Sequence, residues 1–598
     1  MYPMYRPVLE SVGGSLVLTA LVAMLPLLTL FVLLGVLRLA AWKAALISLA
    51  VSLLVAIVAY SMPVGQAVSA GLEGAAFGFF PILWIVINAI WVYNMTVVTG
   101  HFDVLRRSFA KVSDDQRIQA VIVAFCFGAL LEALAGFGTP VAITSVMLIA
   151  LGFRPVKAAV VALVANTAPV AFGALAVPIT TLAKVSSLPE HNLAQVVGRQ
   201  TPLLALFVPM ALVFIIDRGR GVRETLPATV TCGISFAVAQ FACANYLSTQ
   251  LTDIVASLVA AASVVLLLRV WQPAGTYVEA PEFGTYASEV STSGRSRSSA
   301  PGRAGTALGE GVGEGLAEDM GDRFDGGSDH PIGQGTGTAA ELAARDLDKN
   351  DTGSDVFKAY APYLIIIAVF SIAQIPFIKS ALAAPTVIFR WPGLDGLQAA
   401  SGKPSTIPTF TFNWLAAAGT LMVISGLITI PVIGISVAKA FRAYLDTYRQ
   451  LAAAILTVMA VLGLAYVMNT SGQTASLGAW MALAGSAFAV ISPILGWLGV
   501  SVTGSDTSSN SLLGALQVSA AGKVGLSPVL MAASNSSGGV LGKMISPQNL
   551  AIAAAAVGMY GREGVIFRKV VGWSLGLLAF MCVIVYLQST SVLSWMLP

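Results

Sequence analysis

GALLEALAGFGTPVAITSVMLIALGFRPVKAAVVALVANTAPVAFGALAVPI, residues 128–179, is apolar enough for a membrane yet will not make one helix. It breaks at Gly136-Phe137-Gly138-Thr139-Pro140, turns at Gly152 to Pro155, and breaks again at Ala165-Asn166-Thr167. Residues 496–559, GWLGVSVTGSDTSSNSLLGALQVSAAGKVGLSPVLMAASNSSGGVLGKMISPQNLAIAAAAVGM, repeat the plan. There the breaks are at Gly504-Ser505-Asp506-Thr507 and Ser534-Asn535-Ser536, with a corner at Gly525 to Pro528. In each copy the Asn is followed twelve residues later by a proline, Pro178 and Pro547. A continuous helix avoids such residues, because Pro removes a donor and Gly costs backbone entropy. Within a bilayer, broken backbone is tolerated only where protein or a cavity surrounds it. A matched pair of interrupted segments in two halves is therefore the signature of a transporter's midplane site.

The rest of the composition agrees. Of 598 residues, 57% are hydrophobic and only 10% charged, against about 25% charge in a soluble domain. Mean hydropathy is +0.83. Repeated apolar windows of about 20 residues predict a polytopic α-helical membrane protein. The first apolar run, residues 15–37, is too long for the core of a cleavable signal. The net charge of +4 carries little information beside where the cations lie. Arg38, Lys43, Arg106, Arg107, Lys111, Arg117, Arg154, Lys157, Arg218, Arg220, Arg223, Lys439, Arg442, Arg449, Arg562, Arg568 and Lys569 all fall on one side if the loops that carry them are cytoplasmic. That count inverts the two broken units relative to each other and puts both termini outside. The organisation expected is two inverted-topology repeats, each with a re-entrant hairpin and a broken transmembrane helix. Residues 1–271 form the N-terminal half with its broken unit at 118–179, and residues 356–598 the C-terminal half with its broken unit at 477–559. Residues 272–355, rich in Gly, Ser and acidic residues, read as a disordered cytoplasmic linker. Residues 377–411 read as an external loop.

Glu132 lies one turn before the first tip and Asp506 within the second. A carboxylate at membrane depth costs roughly 2.5–3.5 kcal/mol and marks a functional site by default. Desolvation favours the protonated form, which suits a group that binds and releases a proton. Glu132, on an apolar arm, is the candidate proton carrier. Asp506, among hydroxyls and amides, reads as a capping group that organises its hairpin, with proton coupling as its alternative role. The bland readings are a hairpin cap for either carboxylate, or a buried lysine as partner. Lys543 is a lone cation in the second unit, able to attract a carboxylate substrate, to pair with Asp506, or to snorkel. The polar residues at the breaks are Gly136, Gly138, Thr139, Asn166, Thr167, Ser505, Thr507, Ser508, Asn510, Asn535, Ser536 and Ser537. Half-helix ends there offer unpaired donors for an anion, or the side chains merely satisfy the break. Glu73, close to an expected interface, reads as structural. The four cysteines sit in apolar stretches and read as packing; the three histidines fall in loops. Neither a nucleotide-binding loop, a metal-spaced cluster nor a nucleophile elbow occurs, so the sequence gives no reading as an enzyme, cofactor protein or nucleic-acid binder.

With these motifs in view, the chain resembles the L-lactate permease family. The stretches that carry the resemblance are PILWIV (81–86), DDQRIQ (114–119), LEALAGFGTPVAI (131–143), LGFRP (151–155), ANTAPVAFGALAVPI (165–179), VWQP (270–273), AYVMNTSGQTA (465–475), GWLGVSVTGSDTSSNSLLGALQ (496–517) and SNSSGGVLGKMISPQNLAIA (534–553). The resemblance implies a multi-pass protein of the bacterial inner membrane that imports L-lactate, D-lactate and glycolate together with protons. Its partners would be a small carboxylate, protons and the lipid bilayer. The Asn-centred breaks are also similar to the tips of a wider ion-transporter superfamily that includes sodium-coupled carboxylate carriers, which supplies a second reading. An uncoupled anion channel or membrane scaffold is a third, of another class.

Overall fold

The computed structural model describes residues 4–279, 351–395, 397–398, 408–559 and 562–598, apart from Lys111 and Phe137. Most of the expected linker, residues 280–350, and part of the expected external loop lie outside these residues. Among the described residues nine helices are long and apolar enough to cross a membrane, ten if one bent pair is a single span. The N-terminal half holds α1 (Leu16–Val36), α2 (Ala41–Val58), α3 (Val64–Val98), α4 (His101–Ala110), α5 (Gln116–Leu134), α6 (Thr139–Ala150), α7 (Pro155–Ala165), α8 (Gly173–Ser186), α9 (Glu190–Leu247) and α10 (Thr252–Leu268). The C-terminal half holds α11 (Gly353–Ala373), α12 (Pro376–Ala383), α13 (Ala418–Ile433), α14 (Val437–Ser471), α15 (Gln473–Thr503), α16 (Asp506–Val524), α17 (Pro528–Gly542), α18 (Pro547–Ala556) and α19 (Glu563–Gln588). One short hairpin, β1 (Val387–Arg390) against β2 (Thr409–Phe412), joins α12 to α13. The protein is thus the all-α polytopic type that its sequence predicts.

Burial ranks the helices. The apolar window of α5 is 94% buried, those of α1 and α2 only 33%, so α5 is central and α1 and α2 are peripheral. Leu18, Leu21, Leu25, Leu28 and Val32 of α1 are exposed, three or four apart on one face. Such a stripe belongs against lipid tails.

Helices break in both segments, and one expected break is missing. In the first, Gly136 (φ 51°) and Gly138 (φ 84°) take the left-handed backbone between α5 and α6, which glycine adopts without steric penalty. The twelve residues of α6 rise about 18 Å, well short of a hydrocarbon core of about 30 Å. Gly152 (φ 90°) turns the corner, and Pro155 opens α7 where its missing N–H does no harm. Then α7 stops at Asn166, and the chain bends by 64° before α8. Ala174, Leu175 and Ala176 follow in left-handed conformations, each costing roughly 1–2 kcal/mol for a residue with a Cβ.

In the second unit, Gly504 (φ 73°) separates α15 from α16, and Gly525 (φ 73°) turns the corner into α17. The helix α16 has nineteen residues, more than its short counterpart α6. The expected break at Ser534-Asn535-Ser536 is absent: α17 runs unbroken from Pro528 to Gly542. The break comes at Lys543–Ile545, just ahead of Pro547. The polar residues do not need a break because neighbouring helices satisfy them. Asn535 is bonded to Asn510 and Gln517 of α16, Ser534 to Ser492 of α15, and Ser536 to Asp506 of α16. The residue before a proline disfavours helix, and that constraint sets the break.

Glycines let α15 and α17 approach closely. A Cβ on Gly496, Gly538 or Gly542 would collide with the backbone carbonyl of Asn535, Pro493 or Trp497 respectively. Close backbone approach through small residues is how membrane helices gain packing energy without a hydrophobic drive.

Arg117 overturns its reading as a loop cation. It is 1% exposed and holds Asp115 at 2.7 Å, Asp217 at 3.0 Å, Glu224 at 2.6 Å and the Gly275 carbonyl at 2.7 Å. Asp217 and Arg218 form the kink that divides α9. Residues 272–279, expected as the start of the linker, are instead docked. The Tyr277 N–H donates to Asp115, and Glu279 pairs with Lys157 at 2.6 Å and Arg154 at 3.2 Å. The segments at 115–117, 154–157, 217–224 and 272–279 therefore meet.

Candidate functional site

Two carboxylates and one ammonium meet where the broken units touch. Glu132, in the last turn of α5, pairs through Oε1 with Lys543 Nζ at 2.6 Å. Its Oε2 accepts from Asn166 Nδ2 at 2.9 Å. Glu132 is 3% exposed and Lys543 6%. The break after α5, the end of α7 and the break after α17 thus meet at one ion pair. Gly173 opens space for it: a Cβ there would lie 2.8 Å from Glu132 Oε1. The strained residues Ala174–Ala176 follow directly, and strain of this kind persists only where packing over-determines it.

Asp506 lies at the start of α16, also 3% exposed. It does not cap the helix. Ser505 does, accepting from the Ser508 N–H. The Asp506 carboxylate instead reaches across to α17, where Ser536 Oγ donates to its Oδ2 at 2.5 Å, and Asn510 Nδ2 lies 3.3 Å away. Asn510 Nδ2 also donates to the carbonyl of Pro178 in the first unit at 3.1 Å. From Asn510 a buried chain continues through Asn535 (2.8 Å), Gln517 (2.6 Å) and Ser492. Lys543 therefore pairs with Glu132, not with Asp506 as its own unit suggested, though its charge also acts on Asp506.

Several polar atoms here have no hydrogen-bond partner among the described residues: Asn166 Oδ1, Thr167 Oγ1, Ser537 Oγ and Asp506 Oδ1. Buried polar groups are normally paired, so this concentration beside an ion pair is unusual. Other residues expected at the site shape its edges. Gly136 lies against Glu132. Thr139, Ser505 and Thr507 are half-buried and form the turns themselves. Both glycine tips rest on the start of α18, Gly138 against Ile552 and Asn549, Gly504 against Gln548. Asn549, which bonds Ser546 and the Gly504 carbonyl, was not foreseen; the Ser-Pro-Gln-Asn opening of α18 is the signal that names it. Asp253 was also not singled out. It is fully buried at the head of an apolar helix, bonded to Gln240. Glu73 is buried as well, where α3 crosses α14.

A bundle of long apolar helices enclosing a charged centre, to which both halves contribute, is a multi-pass membrane transporter. The sequence comparison fixes which kind: a profile described as L-lactate permease matches residues 19–299 and 334–592, and the chain belongs to the L-lactate permease family of bacterial membrane transporters. It is 38% identical to an L-lactate permease of Bacillus subtilis, over 98% of each chain. It is also 38% identical to the glycolate permease GlcA of Escherichia coli, over 98% of this chain and 97% of that one. Among solved structures, the YdaH transporter of Alcanivorax borkumensis overlays loosely, with a TM-score of 0.38 and 14% identity over 86% of each chain.

Proposed function

We propose that this protein imports L-lactate and related 2-hydroxymonocarboxylates, D-lactate and glycolate among them, by proton symport through alternating access. The observation that carries the reading is the buried Glu132–Lys543 pair across the two broken units. Protonation of Glu132 would remove its charge and release Lys543. A substrate carboxylate would then take the vacated place at the ammonium, with its 2-hydroxyl facing the unpartnered groups of Asn166, Thr167 and Ser537. One proton and one monoanion enter together, so the loaded site has the same net charge as the empty one. Such exchange avoids a lone buried charge, whose exposure to low dielectric costs several kcal/mol. The names of the relatives support the substrate class. The near-complete burial of the pair supports a state closed to both sides. Inverted repeats, with their tips meeting on α18, would supply the two alternating openings.

The test is uptake of labelled lactate into proteoliposomes under separate proton and sodium gradients. Accumulation above the equilibrium level under the proton gradient alone is expected. Accumulation under sodium alone would replace this reading with a sodium-coupled carrier, and flux that only ever runs downhill would make the protein a channel.

A further inference from the structure

Asp253 takes no part in the site just described, yet it is among the most secluded charged groups in the protein. It is 0% exposed. Its Oδ1 accepts from Gln240 Nε2 at 2.9 Å, and Oδ2 has no partner among the described residues. A carboxyl oxygen with no donor aimed at it has room for a proton of its own. Two further observations point the same way. First, α10 packs against the last turns of α5, which carry Glu132, closely enough that the charge of Glu132 acts on Asp253. Second, Asp253 directly follows a polar turn at residues 248–252. Glu190 and Gln250 are bonded at 2.9 Å, Gln250 to Ser248 at 3.3 Å, and the Ser248 carbonyl accepts from Thr252 at 3.0 Å, one residue before Asp253.

We propose that Asp253 is a second proton-holding group, which passes the proton between Glu132 and the half-buried turn at Thr249 and Gln250. The proposal rests on the symport reading above. The step is a bare transfer: a proton leaves Asp253 Oδ2, the Glu132 carboxylate accepts it, and Lys543 is released to the substrate. The Asp253 carboxylate then regains a proton from the 248–252 side. Of the elements packed on α10, α5 carries Glu132, whose oxygens are held by Lys543 and Asn166, and α9 carries Gln240 and Cys243. Neither α8 nor α11 brings a charged group that acts on it.

The experiment compares the full-length chain with Asp253→Asn and Asp253→Glu in proteoliposomes. It reads lactate uptake driven by a pH gradient, and lactate counterflow with lactate on both sides, each across a range of pH. Asn keeps the hydrogen bond to Gln240 but cannot carry the proton. Driven uptake should fall on the order of 10²-fold, as when a proton-transfer group is lost, while counterflow persists and its pH profile flattens. Asp253→Glu should restore driven uptake in part. Driven uptake undiminished in Asp253→Asn would take the residue off the path. Equal loss of uptake and counterflow, unrelieved in Asp253→Glu, would make it a packing residue and overturn the proposal. A wild-type protein indifferent to the pH gradient would fell the symport reading itself, and this inference with it.

Discussion

Lys543 and Glu132 are 411 positions apart, and the 2.6 Å between their charges decides what each can do. Glu132→Gln keeps size and hydrogen bonding but cannot exchange a proton. It is expected to abolish accumulation driven by an imposed pH gradient while retaining lactate counterflow, since exchange need not return an empty carrier. A Glu132→Gln protein that still concentrated lactate would move the proton to Asp506. Lys543→Gln should instead lose counterflow and driven uptake together, because the substrate carboxylate loses its counter-charge. Gly173→Ala would set a methyl 2.8 Å from Glu132 Oε1, and a loss of counterflow affinity without loss of protein from the membrane is the outcome to look for. The sequence made these residues conspicuous, as charges in apolar runs are. It did not reveal the pairing, because a role as substrate counter-charge, as partner of Asp506 or as a snorkelling cation fitted Lys543 equally, and only the packing of one half on the other brings Glu132 to it. Asp253 escaped notice for a different reason: an acidic residue at the start of a helix is ordinary at a surface, and only burial makes it unusual.

At the level of helices, the positions of glycine and proline were the readable part. Gly136, Gly138, Gly152, Gly504 and Gly525 all adopt the left-handed backbone their places required, and Pro155 and Pro528 both open helices. The break expected at Asn535 was misplaced because local polarity looks the same whether a neighbouring helix answers it or not. The α15–α17 contact depends on that neighbour. Gly538→Ala should separate the two helices at a cost of about 1–3 kcal/mol, as overpacking does, read as a lower thermal unfolding temperature in detergent. Arg117, at the start of α5, ties that helix to the kink of α9 and to the docked segment 272–279. Removing one member of a buried charge cluster costs roughly 3–5 kcal/mol, so Arg117→Met should deplete the folded protein far more than the exposed change Arg449→Met.

Across the whole molecule, the ends of the segment between the halves are anchored, Glu279 to Lys157 and Asp351 to Arg107 at 2.6 Å. Residues 285–345 have a composition with little apolar surface to bury. Their deletion leaves ten residues between the anchors, a reach of about 35 Å, and normal uptake at normal membrane abundance is the expected result. Loss of uptake with the protein still present would give that stretch a role. The bridge between Glu132 and Lys543 has one more consequence, and it concerns the cell's energy store rather than its nutrition. On the proposed coupling, a proton arriving alone would strand an unbalanced ammonium inside the bundle, so the carrier stays shut until a carboxylate follows. The protein would then insulate the membrane as well as cross it: vesicles containing it should hold an imposed pH gradient as long as empty vesicles do, and discharge it only when lactate is added.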